Sequence, residues 1–123
     1  MTNEEALTYL YNSFQNLTFT WKKQNELQIT FPYGLTKENK EITIEAIRKT
    51  NYCYLTDNGQ ISKLAEKSKL YQRIMNLAKY YGILLKNRAF VSPRFYLKDS
   101  LNAISNYQKF MIAVKENFNL ERR

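Results

Sequence analysis

The chain has 123 residues, with 19 Lys+Arg against 11 Asp+Glu, a formal net charge of +8 and no histidine. That length is one domain, long enough to bury a core without disulfides or metals. The single cysteine excludes an intrachain disulfide and points to a reducing compartment, and without histidine neither an acyl-transfer triad nor a zinc site can be assembled.

Thr2 and Glu5 have capping-box spacing, and Leu7, Leu10, Tyr11 and Phe14 follow as the apolar stripe of a first helix. Leu17, Phe19 and Trp21 alternate with Thr18, Thr20 and Lys22, which predicts a strand; Lys23-Gln24-Asn25-Glu26 turns the chain. Leu27, Ile29 and Phe31 form a second strand, ended by Pro32. Residues 33–40 are polar, contain Gly34 and read as a loop.

The stretch 42–59 organises the rest of the chain. Ile42, Ile44 and Ala46 alternate with Thr43 and Glu45, as in a strand with one buried face. Tyr52, Tyr54 and Thr56 alternate with Cys53 and Leu55, so both faces carry bulk and this fourth strand is expected to be central and covered on two sides. Asp57-Asn58-Gly59 is a turn, because Asn and Gly tolerate positive φ and Asp bonds nearby N–H groups. A short helix over 60–67 and a helix capped by Ser68 come next; the second has Leu70, Ile74, Leu77, Ala78 and Tyr81 inward and Gly82 as its stop. Residues 83–91 suggest a hairpin turning at Lys86-Asn87-Arg88 and ended by Pro93. Residues 97–119 form a long amphipathic helix with Leu101, Ile104, Met111, Val114 and Phe118 inward. The order α-β-β-β-β-α-α-β-β-α predicts a single α+β domain over 1–123, with a mainly antiparallel sheet and helices packed on one face.

Three pieces carry a family resemblance: Phe31-Pro32-Tyr33; Tyr54-Leu55-Thr56-Asp57-Asn58-Gly59; and the basic helix running into YGILL, followed by a short strand and a long last helix containing AISNYQKFMIAVKENF. Over roughly residues 25–120 the chain resembles the prokaryotic and phage-borne domain of unknown function 1828, with Asn58 where the family more often has a second Asp. The resemblance implies the same element order and an origin in a phage or mobile element, and brings no established activity.

Charge is unevenly placed. Residues 1–60 hold six basic and seven acidic residues; residues 61–123 hold thirteen and four. An excess confined to one half suits a polyanion or an acidic protein surface. Lys69, Arg73, Asn76 and Tyr80 share one face of the third helix, flanked by Lys79; Lys86 and Arg88 add to it from the hairpin, Arg94 and Lys98 from the next loop. If they converge, they hold phosphates, with Tyr71, Tyr80 or Tyr96 available to stack on bases. Against this stands a solvated helix face with scattered lysines, in a Lys-, Asn- and Tyr-rich chain of the kind an AT-rich genome produces.

Cys53, between two tyrosines in a strand, reads as a buried structural thiol. No glycine-rich phosphate loop is present, and no cofactor is expected. No apolar run reaches the roughly 18 residues of a membrane span, and the acidic start is unlike a secretory signal, so the cytoplasm of a bacterial host is the expected location. The sequence thus predicts a small, basic, non-enzymatic binding protein acting on nucleic acid or a nucleoprotein, in concrete form an inhibitor of a host defence nuclease of the anti-CRISPR kind. One alternative is a minimal metal-dependent nuclease using Glu45, Asp57 and Lys63. Another is a structural or dimerisation module using the last helix, on whose outer side Phe110 and Ile112 are expected.

Overall fold

The computed structural model describes residues 2–36 and 41–121. Helix α1 (Asn3–Ser13) leads into strands β1 (Thr18–Lys23), β2 (Glu26–Phe31), β3 (Ile42–Arg48) and β4 (Cys53–Thr56). Helices α2 (Gln60–Glu66) and α3 (Tyr71–Tyr80), the hairpin β5 (Leu84–Lys86) and β6 (Ala89–Val91), one 3-10 turn (Leu97–Asp99) and helix α4 (Ser100–Glu121) complete the chain. The strands form one antiparallel sheet in the order β1-β2-β3-β4-β6-β5, and all the helices pack on the same face of it. The α+β class and element order are those the alternation pattern predicts. No described helix is long and apolar enough to cross a membrane.

Register explains the core. Phe19 stands opposite Ile29 and Ile29 opposite Ile44, so one apolar row crosses three strands; Ala46 opposite Leu55 extends the inner face to β4. Onto it α4 lays Ile104, Tyr107, Phe110, Met111, Val114 and Phe118, all buried, while α2 adds Ile61 and Ala65 and α3 adds Ile74 and Ala78. Each large apolar side chain among them contributes about 1.5–3 kcal/mol when fully buried. Residues 37–40, part of the loop expected over 33–40, lie outside the described residues.

The caps follow their residues. Thr2 accepts the Glu5 N–H at 3.1 Å. Helix α3 closes as a Schellman motif: the Ile83 N–H reaches the Ala78 carbonyl at 2.7 Å, the Gly82 N–H reaches the Lys79 carbonyl at 3.1 Å, and Gly82 takes φ +70°. Tyr11, expected in the buried stripe of α1, is 42% exposed. Its hydroxyl donates to the Phe19 carbonyl at 2.9 Å and accepts from the Phe19 N–H at 3.2 Å, while its ring stands edge-on to Phe19.

Four expectations need correction. Phe110, placed on the outer side of the last helix, is fully buried; Ile112 alone of that pair is exposed. The helix expected over 97–119 begins with a 3-10 turn and turns α-helical at Ser100. Ser68 is not the N-cap of α3: Leu70 is, and the Ser68 hydroxyl accepts the Leu70 N–H at 3.3 Å one step earlier. Finally, β4 is central but covered on one side only. Cys53 and Leu55 face the helices, whereas Tyr54 lies on the opposite face with Ile47 beside it, over which no described element packs.

Candidate nucleic-acid interface

The corner after β4 positions the hairpin. Asp57 is fully buried, and its carboxylate accepts three backbone N–H groups: Gly59 at 3.0 Å, Ile61 at 2.7 Å and Phe90 at 2.8 Å. One side chain thus ties the end of β4 to the start of α2 and to β6. Asn58 at φ 55° and Gly59 at φ +86° make the turn. Burial pushes the Asp57 carboxyl above its ordinary value, against the lowering effect of those N–H groups. Tyr107, whose hydroxyl donates to the Phe90 carbonyl at 2.6 Å, is raised well above the usual phenol range by burial and then by the Asp57 charge.

The hairpin turns through Asn87 and Arg88, at φ 49° and 66°. Two positive φ values in succession make a two-residue primed turn, tighter than the three-residue turn expected. Arg88 occupies the left-handed region at a cost of about 1 kcal/mol or more, and its carbonyl would lie 3.5 Å from a Cβ at Gly59.

Beyond the hairpin the ladder slips. Val91 pairs with Thr56, but Phe95 pairs with Cys53, so one extra residue sits on the β6 side. This bulge is pinned by Ser92, whose buried hydroxyl accepts the Leu55 N–H at 2.8 Å and donates to the Pro93 carbonyl at 3.0 Å. A bulge reverses the in–out alternation beyond it. Phe95 therefore faces the core and Arg94 the open face, where its guanidinium lies 4.2 Å from the centre of the Tyr52 ring. Ser92→Ala should leave the Leu55 N–H unpaired and cost about 1–3 kcal/mol in urea unfolding; a loss within error would show that the hydroxyl does not hold the bulge.

The result is a groove of about 640 Å³ on the open face, between β4 and the hairpin. Its floor is Tyr54, Val91, Ala89 and the exposed Leu84, and its rim is Tyr52, Arg94, Lys86, Asn87 and Asn58. The Tyr52 and Tyr54 rings lie 6.5 Å apart, inclined by 32°. No acidic residue lines it among the described residues.

The predicted basic residues divide into separate sets. Lys86 and Arg94 share this groove, and Arg88 stands at the hairpin tip beside it. Arg73, Lys79 and the 81%-exposed Tyr80 lie on the outer face of α3, with Lys69 exposed just before it, on the helical side of the sheet. Lys98 lies elsewhere again, 6.0 Å from the Tyr96 ring, in a groove it shares with Tyr9 of α1. Of the stacking candidates, Tyr80 and Tyr96 are exposed, whereas Tyr71 packs against the core. Tyr52 and Tyr54 were not among those candidates; the signal for them is that the smaller Cys53 and Leu55 take the core side, leaving the larger rings outside.

The acid–acid–lysine set is not assembled. Glu45 pairs with Lys22 at 3.0 Å on the open face, the Asp57 carboxylate is turned inward onto three N–H groups, and Lys63 lines a different groove with Gln60 and Lys67. The buried Cys53 thiol is raised by desolvation, which disfavours its reactive thiolate. Comparison with models of known families, with curated proteins and with solved structures finds no match.

Proposed function

We propose that the chain is a non-enzymatic binding protein that engages nucleic acid or a nucleoprotein through the basic groups of its second half. The observation that carries this reading is the exposure of that charge. Arg73, Lys79, Lys86, Arg88 and Arg94 are all exposed, and none forms an ion pair with a described residue. Uncompensated cations attract a polyanion and release its counterions on contact. In its concrete form the reading is a phage- or mobile-element-encoded inhibitor of a host defence nuclease, competing for guide or target strands; the sequence resemblance supports that part. Anisotropy titrations with labelled single- and double-stranded DNA and RNA are expected to show binding at about 50 mM salt that weakens about tenfold by about 200 mM. No binding to any of the four at the lower salt, and none to a nuclease–guide complex, would overturn it.

A further inference from the structure

We infer that the groove on the open face of the sheet is a docking surface for single-stranded nucleic acid, with Tyr52 and Tyr54 stacking on unpaired bases and Lys86 and Arg94 holding phosphates beside them. The inference rests on the nucleic-acid reading above and gives it a place and a strandedness.

Three features point to this occupant. The first is charge: the only ionic groups lining the groove among the described residues are the cations Lys86 and Arg94, so it favours an anion. The second is the π surface. Tyr52 and Tyr54 are partly exposed on one sheet face, two residues apart, and Arg94 places its planar guanidinium over the Tyr52 ring. Flat aromatic and guanidinium surfaces pair with bases that are unstacked, as in a single strand and not in a duplex. The third is the bulge. A regular β6 would aim Arg94 at the core; the extra residue and the Ser92 hydroxyl turn it onto the groove instead. The same element is tightened by a left-handed Arg88 and by Asp57 holding the Phe90 N–H, so the platform is set before any ligand arrives. Asn58, Asn87 and Thr56 supply polar groups within the groove.

The test uses the full chain with fluorescein-labelled oligothymidylate and oligouridylate of about 12 nucleotides, within the span that small single-strand-binding sheets cover, and a duplex of equal length. The single strands are expected to bind more tightly than the duplex, and either sugar supports the assignment. Tyr52→Ala and Arg94→Ala should each weaken single-strand binding about fivefold to 100-fold, and Tyr52→Phe should restore it. Lys86→Gln with Arg94→Gln should reduce the slope of log affinity against log salt by about 1.4, the value for two lost phosphate contacts on a single strand. Arg73→Gln with Lys79→Gln, on the other side of the sheet, should weaken binding less than the Lys86–Arg94 pair does. Because Tyr54 lies within β4, its role is read on the unaltered chain: amide shifts on adding oligothymidylate should fall on Cys53–Thr56 and Leu84–Lys86. Binding that survives Tyr52→Ala and Arg94→Ala but fails in the α3 double variant would overturn the placement and leave the nucleic-acid reading standing. No binding to any probe at low salt would overturn both.

Discussion

Asp57→Ala should leave little folded protein. The substitution strips the acceptor from three N–H groups, those of Ile61 and Phe90 buried and that of Gly59 partly so, and each buried orphaned donor costs about 1–3 kcal/mol. The sum is comparable to the roughly 5–15 kcal/mol that holds a domain of this kind together. Asp57→Asn is milder: one amide oxygen can still serve Gly59 and Phe90, but its NH2 then meets the Ile61 N–H, donor against donor. The pair also carries a pH signature. The folded carboxyl is raised above its value in the unfolded chain, so its contribution is fully present below the ordinary value of 3.8 and is lost as pH rises through the folded value. Urea unfolding of the wild type and Asp57→Asn across about pH 3 to 7 should therefore show the wild-type advantage shrinking as pH rises. An advantage that grew with pH would mean that the three N–H groups outweigh desolvation. A full-strength fold in Asp57→Ala would mean the corner is held by something else.

Phe110→Ala is expected to cost about 3–5 kcal/mol, the range for emptying a buried aromatic site. The ring is fully buried, with centres 5.5 Å from Phe90, 5.8 Å from Tyr107 and 6.3 Å from Tyr81. It therefore joins α4 to both β6 and the end of α3. The urea midpoint should fall at unchanged slope. A loss below about 1 kcal/mol would place the ring outside the core.

The same residue shows where sequence reading ran out. The inward set Ile104, Met111, Val114 and Phe118 was legible because it steps by three, four or seven. Tyr107 fits the same spacing, three after Ile104 and four before Met111; Phe110 lies at the edge of that stripe, four before Val114, and is buried because α4 packs against both Phe90 of β6 and Tyr81 at the end of α3, and the width of a buried face depends on tertiary packing. Strand order along the chain and the Asp57–Gly59 corner were legible because alternation and positive φ are local properties. The candidate site was only half legible. Its cations follow from charge counting, but their partition among three surfaces depends on the fold. The facing of Arg94 depends on one inserted residue that Pro93 alone hints at, and Tyr52 and Tyr54 became candidates only once the sheet was seen to have one bare face.

The bond pattern of Tyr11 has a consequence for how the chain behaves in a crowd of its own copies. β1 is an outer strand, rich in threonine and aromatic residues, with the outward amide and carbonyl of Phe19 near its start. An outer strand of that composition is a template on which a second molecule can add a strand, the first step towards fibres. One hydroxyl occupies both groups of Phe19 at once. The register shift between Trp21 and Lys23 breaks the line just beyond, and two lysines end it. The far end of α1 thus acts as a stopper on the sheet, so that this margin is kept from recruiting another copy.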